Sequence, residues 1–490
     1  MGKPNGHDGL SGELQVELEK LEELFTVNTE KLKQITKRFQ EELEEGLQEN
    51  GKNIAMYVTW VLGFPTGKEK GEFLTVDLGG TNLRICWISL TGIKDETSVE
   101  QHQFKLSDDI KTADVSKLWS FIAGSLEKFV KEQELNSSKD KLLHLGFTFS
   151  YPAIQDYIDH AILQTWTKGF EISGVEGNDV ASQLRSAMAK LELPVKLVAV
   201  VNDTTGAMIA SAYNDPDTII GAIFGTGCNA AYVDKVRNIP KLKNNKEISK
   251  LDPDTPMAIN CEYGAFDNAR RVLPITKYDS QIDEQSPKPG EQMFEKMSAG
   301  LYLGELFRLV IVDLHFRGLF LKDRDIAKLK KPYSIDTSIL STIEDDYSKD
   351  LSKTAEMFKK DYNVEFSKAE LNFGRRLAQL IAIRGARMCA CGIAAICQKQ
   401  GITRGHVAAD GSVANKHPQF KKRWADALGE ILDWSEEDKK KKDLSGDDDE
   451  QVGPIILTSA EDGSGVGAAV IAAMTLERWK KGVDAGIKES

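Results

Sequence analysis

The chain has little that would tie it to a membrane, a nucleic acid or a disulfide frame. Its longest apolar runs are interrupted well before the length that a bilayer-spanning helix needs. The opening MGKPNGHDGL has no apolar signal core, and Gly6 stands where a myristoylation motif wants Ser or Thr. A basic excess is missing too. Lys and Arg number 63 against 75 Asp and Glu, a formal net charge of −12, so no overall field draws in a phosphate backbone. The six cysteines, Cys86, Cys228, Cys261, Cys389, Cys391 and Cys397, provide no paired CxxC set for zinc. They imply reduced thiols and a cytoplasmic protein. Two large nucleotide-binding classes are also excluded: there is no G-x-x-x-x-G-K-[ST] loop, and no H-R-D and D-F-G in a suitable order. A nucleotide remains possible, because a local cluster of N–H donors holds phosphate even on an acidic protein.

What is present is an ordinary globular composition, 41% hydrophobic and 28% charged, over 490 residues, enough for two or three well-filled cores. Leu32, Ile35, Phe39, Leu43 and Leu47 recur at helical spacing behind a cap at Asn28. Phe73–Leu90 then reads as strand, Gly-Gly turn and strand, followed by a helix over Val115–Gln133 and the buried strand LLHLGFTFS. PVKLVAVVND is a strand leading into a helix that Asp203 or Thr204 caps. Thr218–Asp234 repeats the form of Phe73–Leu90, so two lobes on similar plans are expected. Helices are predicted over Phe294–Leu314 and Leu371–Cys397. The charge run Glu436–Glu450 reads as a solvated loop, with a partner-binding surface as the sharper alternative. The chain closes with strand PIILTSA, loop EDGSGVG and an Ala-rich helix to about Lys481.

Three glycine-rich loops compete as phosphate cradles. Gly463 to Ala468 satisfies G-x-G-x-x-A, but a dinucleotide fold needs a further strand and an acidic residue beyond the helix, and too little chain follows. Asp77 to Arg84 (DLGGTNLR) is more informative, because it turns between two strands. Glycines let successive N–H groups point at one anion, Thr81 and Asn82 add donors, and Asp77 can orient a hydrated metal ion. Gly225-Thr226-Gly227 offers the same chemistry from the second hairpin. Tight turns alone would also explain each of them.

The ordered set DLGGTNLR, LGFTFSYP, TKGF, VNDTTG, FGTGCNAAY, MAINCEYGAFD, FEKMSAGLYLGE, AADGSV and AEDGSGVGAA resembles the hexokinases, the fungal single-unit enzymes most of all, from about Leu14 to the C-terminal helix. The resemblance implies an α/β, actin-like (ribonuclease H-like) two-lobe sugar kinase fold with a central cleft. It implies ATP-dependent phosphorylation of a hexose at its 6-hydroxyl, with Mg2+ carried on ATP and no dedicated protein metal site. Asp203 is the implied catalytic base, with Lys168 as its catalytic companion. Ser150, Thr167, Lys168, Asn202, Asp203, Asn229, Glu262 and Glu295 match the sugar-binding positions. Asp77, Gly79, Gly80, Thr81, Asn82, Arg84 and Thr226 match those around the phosphates, while Gly411, Ser412, Ser464 and Gly465 match the loops that hold adenosine. Partners are then a small-molecule hexose and Mg-ATP, with neither nucleic acid nor membrane, in a monomer or homodimer.

The expected layout gives residues 1–67 to the helical part of a large lobe and 68–201 to a small lobe, to which 456–471 returns. Residues 202–455 complete the large lobe, and 472–490 form a C-terminal helix and tail. Four positions depart from the family pattern: Gln103 where a Lys is usual, Ala414 in place of an aromatic, Ile275 for an Arg, and Cys228 beside the sugar site. The first two would weaken ATP binding, which keeps open an alternative: a sugar-sensing regulator on a hexokinase frame with little or no turnover.

Overall fold

A computed structural model describes residues 10, 12–135, 137–138, 141–167, 169–440, 453–460 and 463–488. Lys168 lies outside the described residues, as does the 441–450 part of the charge run.

The strands, in chain order, are β1 (Tyr57–Leu62), β2 (Lys70–Leu78), β3 (Asn82–Thr91), β4 (Ser98–Lys105), β5 (Leu143–Phe149), the short ribbon β6 (Ala153–Ile154) and β7 (Ile162–Leu163), and β8 (Val195–Val201). Then follow β9 (Thr218–Phe224), β10 (Cys228–Lys235), β11 (Pro256–Asn260), β12 (Gly405–Asp410) and β13 (Ile455–Ser459). They form two main sheets, β4-β3-β2-β5-β8 and β1-β11-β10-β9-β12-β13. In the first, β2–β3 and β3–β4 are antiparallel while β2–β5 and β5–β8 are parallel. In the second, β9–β10 and β10–β11 are antiparallel while β9–β12 and β12–β13 are parallel. Remove the edge strand β1 and both sheets share one plan: a hairpin, a third antiparallel strand on one side, two parallel strands on the other. The duplication expected from the two glycine-turn hairpins is present. The parallel strands sit between layers, which is why β5 and β8 read as nearly unbroken apolar runs and not as an alternation.

Helix Val115–Glu132 covers one face of the small-lobe sheet with Leu118, Ile122, Leu126 and Phe129. Helix Thr29–Gln48 starts at Asn28, whose side chain accepts the Lys31 N–H at 2.9 Å, and buries Leu32, Ile35, Phe39, Leu43 and Leu47 in the large-lobe core as their spacing requires. Helix Lys368–Gln400 is long and apolar enough to span a bilayer by composition, but its apolar residues are packed inside the protein. All six cysteines are buried and unpaired with one another.

Two expectations need correction. The helix foreseen over Phe294–Leu314 is two helices, Met293–Ser298 and Gly300–Phe316, because Ala299 between them is extended at φ −85°, ψ 151°. The 456–471 segment does not return to the small lobe as a unit. Strand β13 pairs with β12 in the large-lobe sheet, and only the helix Gly463–Lys480 lies against β2, β5 and β8. The helix Asp203–Asn214 does the converse: it leaves β8 of the small-lobe sheet and covers β9, β10 and β12 of the other. Each sheet therefore hands its last helix to its neighbour. The two helices cross where Gly206 meets Gly467, so closely that a Cβ on Gly467 would overlap the Gly206 carbonyl.

Candidate active site

The end of β8 and the head of the exchanged helix hold the expected base. Asn202, extended at φ −75°, ψ 148°, is the N-cap, and its Oδ1 accepts the Thr204 N–H at 2.9 Å. The cap is thus Asn202, not Asp203 or Thr204. Asp203 occupies the first helical position, where the helix dipole favours a negative charge. Its Oδ1 also accepts from the Thr204 N–H at 2.8 Å and from the Thr204 hydroxyl at 3.3 Å, which fixes the carboxylate plane.

Two strand ends of the large-lobe sheet and one short helix bring the expected sugar ligands to this helix. Asn229 on β10 points its Nδ2 at Thr204 Oγ1 (3.1 Å), Asn260 Oδ1 (2.7 Å) and Glu262 Oε1 (3.2 Å). Its Oδ1 accepts the N–H groups of Ala230 and Glu262. Asn260 at the end of β11 donates to Glu262 Oε1 at 2.9 Å. Glu262 adopts φ 53°, a left-handed turn that aims its carboxylate back at these amides. Glu295, on the short helix Met293–Ser298, accepts the Cys228 N–H at 3.1 Å. A Cβ at Gly227 would lie 2.6 Å from its Oε2, so that glycine makes room for the carboxylate. Burial first, then the Glu295 charge, pushes the Cys228 thiol up, leaving it neutral beside the site.

The small lobe supplies Ser150, buried at the end of β5, and Thr167, half-buried on the loop after β7. Among the described residues, the hydrogen bonds do not tie Thr167 to the large-lobe carboxylates. Tyr151, adjacent to Ser150, was not foreseen. Its hydroxyl donates to Gly79 O at 3.1 Å, and burial together with the charges of Asp77 and Asp203 pushes its ionisation up. One neutral phenol therefore stands close to both the base and the β2–β3 turn. Asn260 and Thr204, which orient Asn229, were not foreseen either.

The turn expected to hold phosphate is built between β2 and β3. Gly79 N–H donates to Asn82 O at 3.2 Å, Gly80 is half-exposed, and Thr81 and Asn82 are exposed at the tip. Asp77 lies 3.3 Å from Arg84 Nη2 and accepts the Ser464 hydroxyl at 2.8 Å, so the turn is joined to the head of helix Gly463–Lys480. Gly465 is buried against Thr75 and Cys86, and its side of that helix faces the sheet. On the other lobe Thr226 is exposed at the β9–β10 turn. Gly411, at φ +117°, approaches so near that a Cβ there would stand 2.6 Å from Gly225 N and Phe224 O, and it passes the chain to Ser412. The donor set fits Mg2+ carried on ATP. Asp77 stands beside the turn as a hard oxygen donor that suits a hydrated Mg2+.

Of the departures, Gln103 is exposed on β4 directly opposite Arg84. Ala414 is 2% exposed and packed in the large-lobe core. Ile275 packs against that same core.

Two sheets of one plan, glycine turns on both hairpins, and carboxylates gathered at the head of an exchanged helix define a two-lobe sugar kinase of the actin-like fold. Two hexokinase family models match, over residues 17–213 and 219–474. The chain is 51% identical over 471 residues to a hexokinase of Emericella nidulans, covering 96% of this chain and 92% of that one. It is also 51% identical to hexokinase-1 of Saccharomyces cerevisiae, covering 97% and 95%. A solved hexokinase from Schistosoma mansoni complexed with glucose superposes with a TM-score of 0.81 at 32% identity, covering 94% of this chain and 99% of that one. The chain belongs to the hexokinase family.

Proposed function

We propose that this chain transfers the γ-phosphoryl group of ATP to the 6-hydroxyl of a hexose, glucose foremost, the first step of glycolysis. The observation that carries the reading is the placement of Asp203. It heads a helix next to the N-cap Asn202, and its plane is set by Thr204, which bonds Asn229; Asn229 in turn bonds Glu262, and Glu295 accepts from Cys228 beside Asn229. A pyranose presents hydroxyls that each donate and accept. Amides fix the direction of such bonds, and carboxylates accept several of them.

Asp203 takes the proton of the 6-hydroxyl as the new O–P bond forms. Glu262 and Glu295 accept from sugar hydroxyls, and Asn229, held by Asn260 and Thr204, donates in a fixed direction. N–H groups of Gly80 and Gly227 and the hydroxyls of Thr81 and Thr226 approach the phosphates from the two hairpins, with Gly79 closing the first turn. Magnesium carried on ATP would supply positive charge to the phosphate groups. Asp77, oriented by Ser464 and Arg84, would hold it through water. Ser150 and Thr167, with Lys168, reach the sugar from the small lobe, so the site is complete only when both lobes meet the substrate and water is kept out. The six buried thiols favour a reducing, cytoplasmic setting.

A coupled assay for glucose 6-phosphate with Mg-ATP tests the reading. Asp203→Ala is expected to lower kcat by about 10²–10⁴ with the melting temperature retained. Near-normal kcat in that variant removes the base assignment, and absence of turnover from the well-folded unmodified chain overturns the kinase reading.

A further inference from the structure

The loop carrying Thr167 is tied to the opposite lobe by one side chain. Lys288 Nζ donates to Thr165 Oγ1 at 2.8 Å, joining the large-lobe segment before helix Met293–Ser298 to the small-lobe loop after β7. Both ends of this bond are fixed in advance. On the large-lobe side, the Lys288 carbonyl accepts from Lys296 Nζ at 2.8 Å. Lys296 is 5% exposed and pairs with Asp283 Oδ1 at 2.6 Å. Asp283 also accepts the Gly290 N–H at 2.9 Å and a hydrogen bond from Arg270. Lys296 directly follows Glu295, so the backbone of Lys288 and a sugar carboxylate share one buried anchor. On the small-lobe side, Trp166 is buried between Tyr151 and Phe170. Its indole N–H donates to Ile172 O at 3.0 Å, and its backbone N–H donates to Glu176 at 2.6 Å. Thr165 and Thr167 flank that buried residue and stay half-exposed.

We propose that Lys288 is a positioning residue for the sugar: its bond to Thr165 registers the loop bearing Thr167 against the helix bearing Glu295. The proposal rests on the sugar-kinase reading above. A lysine on a free surface loop would gain little from such a contact, because ordering its side chain offsets the bond. Here the main chain at both ends is already held, so the bond's directional effect is delivered to the two sugar-contacting elements. Bound sugar and the bridge then favour the same arrangement of the lobes, which makes their energies couple.

The test uses the full chain and its Lys288→Met, Thr165→Val, double and Lys288→Arg variants. Glucose affinity is read from tryptophan fluorescence, and KM for glucose and for ATP from the coupled assay. Each single variant should raise the glucose Kd and KM about three- to fivefold, leave the ATP KM and the melting temperature unchanged, and lower kcat little. The double variant should be no worse than either single one, and Lys288→Arg should restore most of the loss. An unmodified glucose Kd in Lys288→Met, or effects that multiply in the double variant, overturns the bridge alone. An unmodified chain that neither turns over glucose nor responds to it in fluorescence sinks the kinase reading and the bridge with it.

Discussion

Asn229 sits where one amide makes five hydrogen bonds to four neighbours: its nitrogen faces Thr204, Asn260 and Glu262, and its oxygen accepts from Ala230 and Glu262. Truncation would leave buried donors and acceptors without partners, a cost of about 1–3 kcal/mol. Asn229→Ala is therefore expected to raise the glucose KM roughly tenfold or more while the ATP KM stays near its original value. Steady-state kinetics with both substrates varied decides this, and an unchanged glucose KM contradicts the placement. The identity of Asn229 was legible in the sequence through FGTGCNAAY. Its dependence on Asn260 and Thr204 was not, because that contact is made by strand register: Asn260 pairs with Ala231, two residues from Asn229, across β10 and β11. Similarly, VNDTTG offers four capping side chains in a row. Only the backbone decides that Asn202 caps while Asp203 is left at the first turn.

Elements were read well where one face is buried and poorly where a helix is apolar all round. Helix Thr29–Gln48 kept its stripe and its Asn28 cap as expected. The break at Ala299 was hidden because Met293, Phe294, Met297, Leu303 and Leu306 maintain an apolar pattern across it. The break exists because Gly300 N–H donates to Gly225 O at 2.7 Å, a partner seventy-odd residues away. The crossing of helices Asp203–Asn214 and Gly463–Lys480 makes the sharpest demand at this scale. Adding a methyl group at Gly467 must push the helices apart or strain both, which typically costs about 1–3 kcal/mol. Gly467→Ala should lower the melting temperature by several degrees, in the presence and absence of glucose alike. A melting temperature equal to that of the unmodified chain would show that the crossing yields without cost.

For the whole molecule, acid is expected to loosen the N-terminal helix Gly12–Phe25. This helix packs Leu14, Leu18, Leu21 and Phe25 against the helical end of the large lobe. Glu17 pins it there. The Arg317 hydrogen bond at 2.8 Å, aided by Lys20 and opposed by burial, holds its carboxyl at about 2 instead of the ordinary 4.5. A depressed carboxylate stabilises fully above its unfolded value and loses that contribution as the pH falls through the folded one. The melting-temperature gap between the unmodified chain and Glu17→Gln should be constant from pH 7 to about 5, narrow below 4.5 and vanish near 2. A gap that persists unchanged to pH 3 would remove Glu17 from this role. At this scale the sequence announced two similar lobes but not the exchange of their last helices, which is set by packing over more than 250 residues of chain separation (Asp203 to Gly463). That exchange makes the halves mutually dependent. The segment 17–213 contains the helix that shields the other sheet and lacks its own, and the segment 219–474 is in the same position. A cut between these two segments leaves neither half with the helix that covers its own sheet. Made separately, the halves should aggregate; made together, they should trade helices and recover one enzyme.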